Sequence, residues 1–181
     1  MKFFADGGFY LTGGYINSTI PISGAGGRLM WYPRKMAFRA GYVDGTQWDD
    51  YNIGHYSTAM GAATIASGGR STAMGSDTKA SGGASTAMGF NSTASGDYST
   101  AMGYETTASG DYSTAMGYNT TAQAYQSVAI GSYNYNTGTS DSWVSTDPIF
   151  EVGVGVDSDN KTNALTVLKN GNVGINKYNP E

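Results

Sequence analysis

Few residues of this chain are of a type and spacing that could do catalytic chemistry. The sequence contains one histidine, His55, and no cysteine, so one chain can build neither a histidine-based triad nor a two-histidine metal site. His55 is predicted to be a structural corner residue, with an ion held by three copies around a symmetry axis as the alternative. Asp97 and Asp111 are 14 residues apart and are not expected to converge on a cleft for acid–base catalysis. The sequence predicts no enzyme and no cofactor.

Two other segments have the composition of ligand-binding loops without their spacing. Residues 23–28 are glycine-rich, but they lack the Gly-Lys-Ser/Thr of a P-loop and the spacing of a dinucleotide fingerprint. We expect a connector there. Residues 157–160 are acidic like a calcium loop but have no later Glu at the required distance. A surface turn is predicted, with a weak cation site as the alternative.

Composition excludes several classes of protein. The net charge is −4, whereas a nucleic-acid-binding protein needs a basic face to neutralise phosphates. No apolar run approaches the ~18 residues of a membrane span, and the N-terminus lacks the apolar stretch of a signal peptide. We therefore expect no direct membrane insertion by this segment, with any export and anchoring parts lying outside it. Glycine is frequent, at 27 of 181 residues, which suits a thin, repetitive fold.

An internal repeat determines the predicted fold. The motif Ser-Thr-Ala-Met-Gly occurs five times at 14-residue intervals and is followed by Ser127-Val-Ala-Ile-Gly131. Fourteen residues fit two strands of about five residues joined by two tight turns. Stacked coils pair equivalent strands in parallel about 4.8 Å apart, so six coils make a rod roughly 30 Å long. The prediction is an all-β, parallel β-solenoid.

Side-chain parity along each strand predicts which faces are buried. In the second strand, Thr106, Ala108 and Gly110 share one face, and the polar Thr107 and Ser109 share the other. In the first strand neither face carries a charge in any copy. One face of that strand can pack inside its own coil, and the other requires a partner chain. This predicts an oligomer.

Side-chain volume suggests which face of the first strand is internal. A strand of small residues is expected to need a large residue opposite it, which places the methionines inside the roll and the alanines at the partner chains. The reverse assignment remains open. The predicted interior residues are Met60, Met74, Met88, Met102, Met116 and Ile130, and the residues predicted to face the partner chains are Ala59, Ala73, Ala87, Ala101, Ala115 and Ala129.

The repeat resembles the head of trimeric autotransporter adhesins, the YadA-like left-handed parallel β-roll. That family carries Ser-Val-Ala-Ile-Gly followed by Ala-x-Gly in a 14-residue period, which residues 127–131 match letter for letter. The resemblance covers residues 57–138. It implies a homotrimer displayed on the bacterial surface, outside the outer membrane, that attaches to a protein or glycan receptor.

The flanking segments resemble parts of long surface proteins and phage tail fibres. Residues 1–27 are predicted to form a β-hairpin and connector, and residues 28–56 an entry cap in which Met30, Trp31, Phe38 and Trp48 cover the first coil. Residues 139–181 are predicted to form a neck or adaptor with a hairpin about Asn170-Gly171. A virion tail fibre, with this segment as a structural or receptor-binding part, is therefore the alternative to a bacterial adhesin.

Two surface features are candidate receptor contacts. An aromatic set is predicted to line one corner, either as a stacking ladder or as a receptor site, with Asp97, Glu105 and Asp111 nearby to accept hydrogen bonds. A hydroxyl array, including Thr93 and Thr107, is predicted on the wet face of the second strand, and a remote alternative function for that array is ice binding. The aromatic candidates are Phe90, Tyr98, Tyr104, Tyr112 and Tyr118.

Overall fold

The computed structural model describes residues 2–3, 9–10, 19–177 and 179–180, and every long element among them is a β-strand. A single 3₁₀ turn, Asp50–Asn52, interrupts the strands. The strands are β1 (Lys2–Phe3), β2 (Phe9–Tyr10), β3 (Gly26–Tyr32), β4 (Ala37–Val43), β5 (Thr58–Ala62), β6 (Ile65–Ala66), β7 (Thr72–Ser76), β8 (Lys79–Ala80), β9 (Thr86–Phe90), β10 (Thr93–Ala94), β11 (Thr100–Tyr104), β12 (Thr107–Ala108), β13 (Thr114–Tyr118), β14 (Thr121–Ala122), β15 (Val128–Ser132), β16 (Pro148–Val154), β17 (Asn163–Leu168) and β18 (Val173–Ile175).

The repeat folds as the predicted solenoid, in which each coil contributes one strand to each of two sheets. The odd-numbered strands β5–β15 pair in parallel, so that each residue lies beside the residue 14 positions later. The even-numbered strands β6–β14 form a second, five-stranded parallel sheet. These short strands contain two residues each, fewer than the five expected, because tight corners on both sides take up the rest of each coil.

The flanking strands extend the long sheet instead of forming separate modules. Its eleven strands run in the order β18-β17-β16-β15-β13-β11-β9-β7-β5-β4-β3. The β3–β4 hairpin joins β5 in parallel through β4, and β16 joins β15 in parallel. The two strands expected about Asn170-Gly171 are present as the antiparallel pair β17–β18. Most of the segment expected to form the N-terminal hairpin lies outside the described residues, although β1 and β2 do pair antiparallel.

Small side chains fill the interior of the roll from both sheets. Ala101 of the long sheet and Ala108 of the short sheet are fully buried, as are their equivalents in every coil. Thr106 is also buried, while Thr107 and Ser109 are partly exposed. The prediction that the Thr-Ala-Gly parity of the second strand faces inward is therefore confirmed.

The expected orientation of the first strand is wrong. The alanines placed at the trimer interface, Ala59, Ala73, Ala87, Ala101, Ala115 and Ala129, have no exposed surface even in the isolated chain. The methionines expected inside lie on the outer face, and Met60 is 41% exposed. The prediction from side-chain volume assumed that the space between the two strands of a coil is wide enough to need a large side chain. The tight corners bring the two strands of a coil so close that alanine and threonine are sufficient.

Two columns of glycine set the spacing between coils. At Gly103 an added Cβ atom would lie 2.1 Å from the carbonyl oxygen of Gly117 in the next coil. At Gly96 it would lie 2.1 Å from the carbonyl oxygen of Gly110. The second column ends in Ala124, whose Cβ atom is accommodated because the residue packed against it is Gly138, where an added Cβ atom would lie 2.5 Å from that of Ala124.

The N-terminal end of the roll is closed by a buried arginine. Arg39 of β4 lies beside Ala59 in the inward-facing row, and it is fully buried. Its guanidinium donates to the carbonyl oxygens of Phe38, Ser57 and Ala66 and to the hydroxyl of Ser57 at 2.8–3.1 Å. Burial lowers the pKa of Arg39 to about 10. The guanidinium therefore stands at the end of the alanine row, where it donates hydrogen bonds to backbone oxygens that have no further coil beside them.

The expected entry cap is half correct. Met30 and Trp48 are buried, and the Trp48 indole donates to the carbonyl oxygen of Thr64 at 2.8 Å. Trp31 and Phe38 do not cover the first coil. They lie beside each other on the outer face of the long sheet, because β3 and β4 continue that sheet and alternate their side chains between its two faces.

The C-terminal end of the roll is closed by a buried glutamate and two asparagines. Glu151 lies beside Ala129 in the inward row and is only 2% exposed. Its two carboxylate oxygens accept from Asn163 Nδ2 at 2.8 Å and Asn134 Nδ2 at 3.0 Å. The Asn134 amide also pairs with both backbone groups of Thr121, so it replaces the next short strand.

Substituting a ladder glycine tests the close approach of the coils. Gly103 has φ +133° and Gly171 has φ +91°, so alanine is strained at both positions, but only at Gly103 would the new Cβ meet a backbone atom. We expect Gly103→Ala to lower the free energy of unfolding by at least ~2 kcal/mol more than Gly171→Ala. Urea denaturation of both variants measures the difference, and equal losses would contradict the ladder.

Replacing the buried carboxyl group tests the C-terminal closure. Burial raises the pKa of Glu151 from 4.5 to about 7, so the folded chain holds a proton that the unfolded chain releases. The contribution of Glu151 to the free energy of unfolding is fully present below pH 4.5 and is lost as the pH rises through about 7. Glu151→Gln is expected to flatten the fall in melting temperature between these limits, while Asp141→Asn, on the surface, keeps the parent profile. Identical profiles for Glu151→Gln and the parent would rule out this role.

Candidate binding surfaces

The aromatic residues of the coils form two separate ladders. The trailing ladder (Phe90, Tyr104 and Tyr118) lies at the C-terminal ends of three long strands. Its rings stack at 5.0 Å and 4.9 Å between centroids, with interplanar angles of 14° and 10°. Tyr133 closes it with an edge contact at 5.3 Å. Parallel in-register strands produce this ladder, because equivalent side chains of successive coils must lie one strand spacing apart.

The leading ladder (Tyr98 and Tyr112) lies just before the long strands, at the opposite corner of the coil. The two rings are 4.9 Å apart and nearly parallel at 5°, and Tyr125 makes an edge contact with Tyr112 at 5.6 Å. Tyr98 and Tyr112 have left-handed backbones, with φ of 58° and 59°, a region that bulky residues usually avoid. The tight second corner imposes this conformation on whatever residue occupies it.

The predicted receptor residues therefore do not form one continuous surface. The two ladders were expected at a single corner, but they lie at opposite ends of the same long strands, because one ladder precedes and the other follows each strand. Thr93 and Thr107 lie on a third surface, the outer face of the short sheet. The predicted aromatic residues do stack, but their predicted arrangement is wrong, because the order of residues in a coil does not show how the corners separate them.

Stacking determines what each ladder presents to a ligand. Ring faces within a ladder cover one another, so the exposed parts are ring edges and phenol hydroxyls. The exposed fractions are 58% for Tyr98, 50% for Tyr112, 40% for Tyr104 and 46% for Tyr118. The negative charge of Glu105 raises the pKa of Tyr104, so this phenol stays protonated and able to donate at neutral pH.

The acidic residues near the ladders have structural partners. Asp97 Oδ1 accepts from the backbone N–H of Gly83 at 2.7 Å, and Asp111 Oδ1 accepts from that of Asp97 at 2.8 Å. Glu105 accepts from the side chain of Asn119 at 2.8 Å. Each of these bonds joins one coil to the next. The expectation that Asp97 and Asp111 do not converge on a catalytic cleft agrees with these contacts.

A lysine that sequence reasoning missed continues the leading corner beyond the last coil. Lys169 Nζ lies 5.7 Å from the centroid of the Tyr125 ring and 5.0 Å from that of Trp143. Burial lowers its pKa, and the charge of Asp147 opposes that change. This clamp fixes the connection before β16 against the corner of the roll. A single lysine after an apolar strand carries no sequence signal for such a role.

The outer face of the long sheet is uncharged along its entire length. At every outward position of β3 to β18 in this sheet the residue is apolar, threonine, serine or glycine. Several large side chains on it are exposed, with Leu29 at 66%, Tyr42 at 55%, Val154 at 48% and Ile175 at 76%. An exposed apolar face of this size marks an interaction surface.

The outer face of the short sheet has a different character. Its central row is Ile65, Lys79, Thr93, Thr107 and Thr121, in register from coil to coil. Three threonines in a row are preceded by a lysine and an isoleucine, so the hydroxyl array is short. The three threonines are partly exposed, and β-branched residues such as threonine are favoured on a half-exposed strand.

The part of the chain that the structure describes contains no cluster of metal-ligating side chains and no membrane-spanning helix. It contains no group of three or more His, Asp or Glu residues that could hold an ion. Residues 157–160 form a turn in which Asp157 Oδ1 accepts from the backbone N–H groups of Asp159 and Asn160, and His55 is exposed. Among the described residues no helix is long and apolar enough to cross a membrane.

Comparison with known families agrees with this geometry. Residues 53–78, 80–106 and 108–134 match the model of the YadA head domain repeat, and these are the residues of the stacked coils. The solenoid is a YadA-like head. The YadA head repeat is the building block of a structural family of surface adhesin heads. A search of curated proteins gives no match to the chain.

Proposed function

We propose that this YadA-like head is one third of a homotrimeric adhesin that attaches a bacterial surface to a protein or glycan receptor. The observation that carries the proposal is the uncharged outer face of the long sheet. In the isolated chain this face leaves Met60, Met74 and Met116 between 36% and 41% exposed. A partner chain is needed to cover it, and the family supplies the threefold arrangement.

The size of this face fits a stable interface. Eleven strands at about 4.8 Å spacing and roughly 17 Å of strand length give on the order of 900 Å² per protomer. A standard specific interface buries about 800 Å² per partner. Three such faces directed at a common axis enclose a core of Met, Ile, Val and Phe that is separate from the alanine interior of each roll.

Receptor attachment is proposed at the edges of the ladders. Phe90, Tyr104 and Tyr118 of the trailing ladder and Tyr98 and Tyr112 of the leading ladder project from the corners. The phenol hydroxyls of the four tyrosines form two rows with a spacing close to the 4.9 Å between rings. Such rows can donate and accept hydrogen bonds along an extended receptor. Thr93 and Thr107 on the short sheet are a weaker second candidate, since they form part of a short polar row.

A charge on the long-sheet face tests the trimer. Met102→Glu places a carboxylate at the centre of the outer face, and we expect a monomer because three buried, unpaired charges would face one axis. Thr107→Glu is the matched control, since it adds the same charge to the outer face of the short sheet. Light scattering on a size-exclusion column should give three times 18.9 kDa, or about 57 kDa, for the parent and the control. A parent of single-chain mass would overturn the trimer.

Removing phenol hydroxyls tests the receptor site without disturbing the stacks. The double variant Tyr104→Phe/Tyr118→Phe keeps both rings, so the ladder and the fold should persist while the hydroxyl row is lost. We expect weaker binding to immobilised arrays of glycans and matrix proteins, by about tenfold if one or two hydrogen bonds are lost. Tyr51→Phe, an exposed tyrosine outside both ladders, is the control. Unchanged binding by the double variant would exclude this row, and a parent that binds nothing on the arrays would count against the adhesin.

A further inference from the structure

The two ladders lie at opposite ends of the same long strands. In the coil of β11, Tyr98 precedes the strand and Tyr104 ends it, and in the coil of β13 Tyr112 and Tyr118 hold the same places. Each of these two coils therefore carries one aromatic residue at its leading corner and one at its trailing corner. Within one chain the two are separated by a five-residue strand, about 17 Å, and cannot touch.

Cyclic symmetry brings these opposite corners together. A rotation about an axis parallel to the solenoid leaves the height of each coil unchanged, so a given coil lies beside the same coil of its neighbours. Ring closure by rotation is heterologous, which means that one end of a strand meets the opposite end in the next copy. With the long sheets facing the axis, the trailing corner of one protomer then meets the leading corner of the next.

We infer that the ladders of neighbouring protomers join into composite aromatic strips, with Tyr98 beside Tyr104 of the next protomer and Tyr112 beside its Tyr118. This inference rests on the proposed trimer and deepens it, because each receptor-facing strip then belongs to two chains. A trimer has three such strips, one along each seam. An isolated chain has only the two halves of a strip, on opposite edges of the sheet.

The residues at the other coils are compatible with the same seam. A bulky residue at one corner is matched by a smaller residue at the other corner of the same coil in the first three coils. These pairs are Tyr56 with Ala62, Arg70 with Ser76, and Ala84 with Phe90. No coil places like charges at both ends. The seam can therefore close along its length without a steric or electrostatic conflict.

The exposure of the ladders favours a partner that contacts ring edges. The faces of Tyr98 and Tyr112 already stack on each other at 4.9 Å, as do those of Tyr104 and Tyr118. What remains on each side is a column of edges with exposed fractions of 40% to 58%. Aromatic pairs favour edge contacts and offset stacking. A second ladder of the same spacing, at the same height, matches this column ring by ring.

Cysteine cross-linking at matched and mismatched heights tests the seam. The chain has no cysteine, so Tyr98→Cys/Tyr104→Cys introduces the only thiols. A short bismaleimide with the reach of two packed tyrosine side chains should link each chain to both neighbours and give a covalent trimer on a denaturing gel. Tyr98→Cys/Ala62→Cys is the mismatched control, since its trailing cysteine lies three coils away, about 14 Å along the axis. Ala84→Cys/Phe90→Cys repeats the matched test at another coil, should the tyrosine pair be needed for folding.

The outcomes separate the seam from the trimer itself. Covalent trimers from both matched pairs, and none from the mismatched pair, are the expected result. A parent of trimeric mass whose matched pairs do not cross-link, or cross-link no better than the mismatched pair, would overturn the seam and leave the trimer standing. A monomeric parent would overturn both.

Discussion

The close contact of backbone on backbone between coils is the constraint on which the rest of the structure depends. At the two glycine columns a Cβ atom would lie about 2 Å from the carbonyl oxygen of the next coil, so no side chain can enter and no coil can shift. The register is then fixed at 14 residues. Every side chain must stack on its equivalent, which turns a repeated alanine into a core and a repeated tyrosine into a ladder. Ser99 and four of its equivalents (Ser57, Ser71, Ser85 and Ser127) support their coils by donating to the carbonyl oxygen three residues earlier at 2.6–2.7 Å.

Identical coils could stack on one another without limit. This chain ends the stack with polar side chains that replace alanine in the inward-facing row. Arg39 stands at one end and Glu151 at the other, each in register with an alanine of the adjacent coil. Both side chains are buried, and both have neutral hydrogen-bond partners instead of an opposite charge. Removing either side chain would leave its partners unsatisfied.

The sequence predicted the 14-residue coil, the parallel pairing of its strands and the inward orientation of Thr106 and Ala108. These features depend only on the repeat period and on the alternation of residues along a strand, and both can be read directly from the sequence. The choice between Ala101 and Met102 for the interior did not follow. Neither face of that strand is charged, so the answer depended on the distance between strands, which corner geometry sets. Arg39 and Glu151 occupy the repeat's alanine position, but their strands lack the motif and their register could not be read. The opposite placement of Tyr98 and Tyr104 likewise depends on the path of the corners.

The separation of two apolar layers explains why such a thin roll can serve as a head. The alanines inside the roll contribute little hydrophobic area, so the roll depends on backbone pairing within the chain and, in the proposed trimer, on burial of the methionine face between chains. Stability and assembly are then supplied by different residues of one strand. The corner residues do not enter the alanine interior, and they differ in sequence from coil to coil. In the proposed trimer, three identical strips would hold three binding surfaces at fixed positions around one axis, so a receptor with repeated sites would gain affinity from simultaneous contacts without any stronger single contact.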